Sequence, residues 1–150
     1  MTSKTTEAPQ RVRVELGERS YDILIGNGLL SQAVDWLQPL KLGKHGVIIT
    51  DTNVAPLYGK RLRDALNAEG FTVEMLDVSA GEESKSLRQA NRLFEKLPSL
   101  GLDRQSFVIA LGGGVVGDLA GFVAASYMRG IALVQMPTTL LAQMDSSVGG

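Results

Sequence analysis

The sequence predicts an α/β domain, a parallel sheet with helices on both faces, preceded by an N-terminal β-hairpin. Three observations predict it. Beyond residue 45, short β-branched apolar runs alternate with stretches of helical apolar spacing, the pattern of a parallel sheet covered on both sides. Ahead of them, two segments of period-two alternation flank a Gly-Glu-Arg-Ser turn. Three consecutive glycines, Gly112 to Gly114, stand between one apolar run and the helix that follows it.

Residues 1–10 are polar and read as a disordered tail. Arg11 to Leu16 alternates and predicts a strand, Gly17 to Ser20 a four-residue hairpin loop, and Tyr21 to Gly26 the second strand. Leu29, Leu30, Ala33, Val34 and Leu37 recur at helical spacing. Gly46 to Thr50 is short and apolar, suited to a strand buried on both faces, and His45 before it is expected in an exposed loop. A helix over Val54 to Ala68 stops at Gly70, and Phe71 to Val78 alternates as a strand. Ser86 to Leu97 is a helix ended by Pro98, Ser106 to Leu111 a buried strand, and Val115 to Met128 a helix rich in small residues. Ile131 to Met136 is a further strand, and Thr138 to Met144 begins another helix. The whole is a Rossmann-like order of strands and helices.

Composition narrows the function. The 150 residues make one domain, and 44% hydrophobic content supports a core. Fifteen basic against 16 acidic residues leave none of the basic excess of a nucleic-acid or anionic-membrane binder. There is no cysteine, which excludes thiolate metal sites and cysteine nucleophiles, and His45 is the single histidine. The first ten residues lack the apolar segment of a secretory signal, and no apolar run approaches the ~18–20 residues of a bilayer span, so a cytoplasmic address is expected.

Three places carry candidate chemistry. Gly112, Gly114 and Gly117 satisfy G-x-G-x-x-G between strand and helix, where bare amides at 112–114 and the helix N-terminus suit a diphosphate. The acid expected about 20 residues downstream for a ribose is absent, whereas Asp51 ends an upstream strand and Asn53 follows it. Asp51 reads equally as a ribose acceptor or as a turn and capping residue. Gly81-Glu82-Glu83-Ser84-Lys85 lies at the same kind of strand end. Glu82 and Lys85 are candidates for ribose and phosphate, against a solvated loop capped by Ser84 or Ser86. Thr138 and Thr139 are cofactor hydroxyls or simple helix caps, Asp145 is placed to orient a substrate hydroxyl, and Arg129 is an anion fork or a helix-end cation.

Taken together, GGGVVGDLAGFVAASYMRGI and PTTLLAQMDSSVGG, with TDTNV at 50–54 and GEESKS at 81–86, closely resemble the 3-dehydroquinate synthase family over residues 21–150. The resemblance implies an NAD-dependent lyase that converts 3-deoxy-D-arabino-heptulosonate 7-phosphate to 3-dehydroquinate and phosphate in the shikimate pathway. It implies that Asp51, Asn53, Glu82, Lys85, Gly113, Gly114, Val115, Asp118, Thr138 and Thr139 hold NAD. It places Asp145 near the reacting part of the substrate, and Arg129 on the substrate phosphate of a neighbouring subunit in a homodimer. The family's divalent metal, zinc or cobalt, is bound by a Glu and two His of a helical C-terminal domain that this sequence does not contain, so residues 11–150 read as the NAD-binding domain and no metal ligand is expected in them. Other readings are a sugar-phosphate cyclase of the inosose or valiolone type, a metal-dependent polyol dehydrogenase, and a non-catalytic nucleotide-binding module.

Overall fold

The computed structural model describes residues 8–145. Eleven labelled elements follow in chain order. A hairpin of β1 (Gln10–Val14) and β2 (Tyr21–Ile25) leads into α1 (Ala33–Leu37), β3 (His45–Asp51), α2 (Lys60–Ala68) and β4 (Thr72–Val78). Then come α3 (Leu87–Lys96), β5 (Phe107–Gly112), α4 (Gly114–Ser126), β6 (Ala132–Pro137) and α5 (Leu140–Met144). β3 to β6 form one parallel sheet in the order β4-β3-β5-β6, and the antiparallel hairpin is a separate two-stranded sheet.

Strand alternation sorts the core into two layers. Val47, Ile49, Val108 and Ala110 point to one face, where α3 and α4 pack with Leu93, Leu119 and Val123. Ile48, Phe107, Ile109 and Leu111 point to the other, under Leu37 of α1 and Leu62 and Leu66 of α2. β3 and β5 are therefore buried on both faces, as runs of continuous apolar residues require. Phe107 fills the space beside Gly46, where a Cβ would stand 2.5 Å from its ring, and Phe71 meets that ring edge-on with centroids 5.7 Å apart.

Several boundaries differ from the sequence reading, each for a local reason. Gln10 pairs with Ile25, so the first strand starts inside the predicted tail. The hairpin loop is longer than four residues because Leu16 leaves the strand (φ −133°, ψ 30°) and Ser20 Oγ accepts from its N–H at 2.9 Å. The helix expected from residue 29 is broken into a 3-10 turn, one α-helical turn and a second 3-10 turn at Pro39. The helix expected from Val54 opens as a π turn over Ala55–Gly59, where Gly59 lies against Met75, before α2 begins. His45 is the first residue of β3 rather than part of a loop, and is exposed as expected. α4 stops at Ser126, short of Met128, because Met128 and Arg129 turn left-handed (φ 47° and 69°).

Asp103 anchors the approach to β5. Ser106 Oγ and the Gln105 N–H both donate to its Oδ1 at 2.9 Å, and these bonds hold its pKa below the ordinary carboxylate value.

Gly46→Ala drives a methyl into a ring with no free space, and is expected to lower stability by about 1–3 kcal/mol. The urea-unfolding midpoint measures it, and a midpoint equal to that of the parent chain contradicts this packing.

Candidate functional site

The sheet order places a switch point between β3 and β5. From β3 the chain passes through α2 to β4 on one side, and from β5 through α4 to β6 on the other. Ligands of open α/β sheets bind at the carboxyl ends of strands where the order reverses. The carboxyl ends here are Asp51, Val78, Gly112 and Pro137.

α4 rises from that edge with its N-terminus open. Gly113 is the N-cap and has no side chain to offer, and the first helical bond runs from Gly117 N–H to Gly113 O at 3.0 Å. The amides of Gly114, Val115 and Val116 therefore have no acceptor among the described residues, which concentrates the positive end of the helix dipole there. This widens the expected window. Gly112 closes the β5 ladder opposite Pro137, and the open amides extend from the glycines into the first turn of α4 at Val115 and Val116. None of the three glycines has a positive φ; Gly112 is needed for contact, since a Cβ there would lie 2.8 Å from Val116 Cβ.

Thr138 and Thr139 stand beside this terminus. Thr138 N–H donates to Gly112 O at 2.9 Å, and a Cβ on Gly113 would come within 3.2 Å of Thr139 Cγ2. Thr139 Oγ1 accepts from Ala142 N–H at 3.1 Å and caps α5. Thr138 Oγ1 is buried with no hydrogen-bond partner among the described residues, an orphan polar atom on the residue whose N–H joins Gly112.

The other candidates on this edge are engaged with the protein. Asp51 Oδ1 accepts from Asn53 N–H at 2.8 Å and Val54 N–H at 2.9 Å, so the turn role is realised, while Oδ2 makes no hydrogen bond among the described residues. Thr52, which the sequence reading passed over, ties the ends of β3 and β4: its N–H donates to Val78 O and its Oγ1 accepts from Ala80 N–H at 3.1 Å. Glu82 is exposed in the 3-10 turn Glu82–Ser84. Ser84 Oγ donates to Ser79 O at 2.5 Å, and Ser86 caps α3 by accepting from Gln89 N–H at 3.3 Å.

Lys85 and Asp118, both expected at the cofactor, meet each other. Lys85 Nζ lies 2.6 Å from Asp118 Oδ2, joining the 82–85 turn to the second turn of α4. The hydrogen bond to Asp118, its charge and that of Glu82 raise the Lys85 pKa above 10.5. Nothing in the local sequence signals this contact, because one residue ends a 3-10 turn, the other lies inside a later helix, and they meet only through packing.

Asp145 follows α5 on the same edge and is exposed. Arg129 is not there. α4 carries the chain back across the sheet, about 20 Å for its 13 residues, and Arg129 stands exposed at the opposite edge. Two shallow depressions of about 300 and 190 Å³ open away from the glycine edge, beside α1 and the end of α2. Among the described residues no three His, Cys, Asp or Glu gather as a metal site, and no helix is long and apolar enough to cross a membrane.

Parallel strands, helices on both faces and an uncapped glycine helix terminus at the switch point define a Rossmann-like domain. A family model described as 3-dehydroquinate synthase N-terminal matches residues 75–150, half of the chain, and the chain belongs to that family. The 3-dehydroquinate synthase of Desulforamulus reducens is 55% identical over 139 residues, which are 93% of this chain and 39% of the relative. Among solved structures, a 2-deoxy-scyllo-inosose synthase complexed with carbaglucose-6-phosphate, NAD+ and Co2+ superposes with a TM-score of 0.81 at 28% identity, over 91% of this chain and 37% of that one. The 2-epi-5-epi-valiolone synthase of Streptomyces hygroscopicus, with NAD+ and Zn2+ bound, gives 0.73 at 29% over 91% and 37%. The chain thus spans about two fifths of the length of these proteins.

The raised Lys85 pKa has a definite sign. The Lys85–Asp118 attraction is fully present below about pH 10.5 and is lost as pH rises through the higher folded-state value. In a side-chain NMR titration Lys85 Nζ is expected to titrate above 10.5, and Asp118→Asn to lower its midpoint. A Lys85 midpoint that Asp118→Asn leaves unchanged contradicts the pair.

Proposed function

We propose that this chain is the NAD-binding part of a 3-dehydroquinate synthase, acting within a longer polypeptide. That enzyme converts 3-deoxy-D-arabino-heptulosonate 7-phosphate to 3-dehydroquinate and phosphate. The observation that carries the reading is the open terminus of α4: three amides without acceptors beside an orphan Thr138 hydroxyl, at the sheet's switch point. Those groups fit a diphosphate, which offers acceptors to amides and a hydroxyl alike.

The residues have separable tasks. The Gly114 and Val115 amides hold the diphosphate, and Gly113 keeps the approach free of a side chain. Asp51 keeps its turn with Oδ1 and offers Oδ2 to a ribose hydroxyl, with Asn53 beside it. Glu82 and the Lys85–Asp118 pair border the far side of the cofactor, and Thr138 and Thr139 close the near side. Asp145 lies at the same edge, in line with a role on the reacting end of the substrate. Bound NAD+ supplies reversible hydride acceptance at a substrate carbinol carbon, which acidifies the neighbouring C–H before phosphate leaves. A divalent metal does not fit the described residues. His45, the chain's one histidine, stands at the start of β3 across the sheet, so no step is assigned through a metal here.

Arg129 is proposed to serve a second subunit. It projects from the edge opposite its own glycine loop, on a turn whose Met128 and Arg129 are both left-handed. Holding two such non-glycine residues costs about 1–2 kcal/mol each. The Tyr127 hydroxyl bond to Leu102 O and the Ile131 N–H bond to Ala124 O support the turn. A guanidinium presented this way suits a phosphate brought by a partner chain. The enzyme is placed in the cytoplasm, as a small-molecule biosynthetic catalyst.

A second reading is a cyclase of the inosose or valiolone type, favoured by the two solved structures. The 28–29% identity to those, against 55% to a 3-dehydroquinate synthase, sets it behind.

Calorimetry is expected to show NAD+ binding to this chain at millimolar concentrations. Gly114→Val is expected to abolish it with unchanged far-UV circular dichroism. No heat from the folded parent chain, or equal affinity in the variant, contradicts the reading. In the longer enzyme Arg129→Ala is expected to raise KM for the sugar phosphate several-fold and leave NAD+ affinity unchanged. Steady-state kinetics in both substrates check this, and a loss of NAD+ affinity would move Arg129 to the cofactor.

A further inference from the structure

The chain has four asparagines, Asn27, Asn53, Asn67 and Asn91, and their surroundings set one apart. Asn67 and Asn91 lie inside α2 and α3, where the next N–H belongs to a helical ladder. Their carboxamides are engaged as well. Asn67 Nδ2 donates to Val73 O at 3.1 Å and its Oδ1 accepts from Val73 N–H at 2.7 Å, and Asn91 Nδ2 donates to Glu95 Oε1 at 2.8 Å. Asn53 is exposed, but the residue after it is the β-branched Val54, whose N–H donates to Asp51 Oδ1 at 2.9 Å.

Asn27 has none of this. It is exposed in the turn between β2 and the 3-10 turn that opens at Leu29, and its carboxamide makes no hydrogen bond among the described residues. The residue after it is Gly28, the one glycine in the chain that follows an asparagine. The Gly28 N–H also has no acceptor among the described residues. Its carbonyl, by contrast, is held by Ser31, whose N–H and Oγ donate to it at 3.1 and 2.6 Å. Gly28 stands at φ 75° and has no Cβ to shield its nitrogen. An unbonded main-chain nitrogen therefore sits one residue beyond an unbonded, exposed carboxamide, the spacing that closes a five-membered ring.

We propose that Asn27 is a site of self-modification, deamidating through the Gly28 nitrogen. The Gly28 N–H gives its proton to hydroxide and the nitrogen attacks Asn27 Cγ. The N–Cγ bond forms, the Cγ–Nδ2 bond breaks, and ammonia leaves with a proton from water. Water then opens the resulting imide. Cleavage of the bond to Cγ leaves aspartate on the ordinary main chain, and cleavage of the bond to the main-chain carbonyl leaves isoaspartate, with the chain routed through the side chain. One water is taken up, one ammonia is released, and nothing is oxidised or reduced. Either product adds a carboxylate to a chain of formal charge −1, and isoaspartate lengthens the link between the hairpin and the rest of the domain by one carbon. Asn27 is not among the residues assigned to the nucleotide, so the inference stands apart from that reading.

In mildly alkaline buffer over days, the folded chain is expected to gain the mass difference between a carboxamide and a carboxylic acid in tryptic peptide 20–41, placed at Asn27 by fragmentation. The peptides that carry Asn53, Asn67 and Asn91 are expected to keep their masses, and the conversion to speed up as pH rises. Asn27→Gln, whose ring would be larger and closes poorly, is expected to show no gain. Part of the product is expected to halt Edman degradation at position 27, the mark of the isoaspartyl link. Because nothing in the fold holds Asn27, the folded chain is expected to convert within about threefold of its rate in urea. A folded-state rate far below the urea rate, conversion at another asparagine in place of Asn27, an equal gain in Asn27→Gln, or a product wholly of ordinary aspartate each overturn the proposal.

Discussion

How closely α4 lies on β5 and β6 is the constraint on which the rest of the structure depends. Gly112 leaves room for Val116, Gly117 for the Gln135 carboxamide, and Gly121 for Leu133. A Cβ at Gly112 would collide with Val116 and one at Gly117 would crowd the Gln135 carboxamide, while at Gly121 there is room for ordinary contact only. The close approach lets one helix cover β5 while its first turn stays level with the strand tips, so its unbonded amides face the ligand edge. A helix seated further out would carry the same amides away from Thr138 and Asp51. The loop glycines thus serve contact more than turn geometry, which agrees with their ordinary φ values.

The polar groups along that edge are held before any ligand arrives. Asp51 organises its own turn, Thr52 links two strand ends, Thr139 caps α5, and Lys85 grips Asp118. A structural bond does not exhaust Asp51, because a carboxylate has more lone pairs than one turn uses. Preorganised groups lose little freedom when a ligand orders them. The Lys85–Asp118 pair also offsets the one negative charge of α4, which would otherwise weaken the positive end of that helix.

The opposite edge of the sheet answers to different demands. There the chain accepts two left-handed non-glycine residues to present Arg129, and pays for them with the Tyr127 and Ile131 hydrogen bonds. Backbone strain is disfavoured unless its surroundings hold it, and here it lies away from the glycine edge.

Residues near one another in sequence announced much of this chain. Continuous apolar runs marked β3 and β5 because a strand buried on two faces needs apolar residues at every position. The alternating segments marked β1 and β2, and the glycine run between strand and helix marked the open terminus of α4 at the sheet's carboxyl edge, since backbone exposure there requires missing side chains. What periodicity could not supply was everything that joins distant segments. The order β4-β3-β5-β6, the Lys85–Asp118 contact and the distance of Arg129 from its own glycine loop were decided by tertiary structure alone. Local pattern records which face of an element is apolar, whereas the partner that covers that face is selected by packing and charge across the whole molecule.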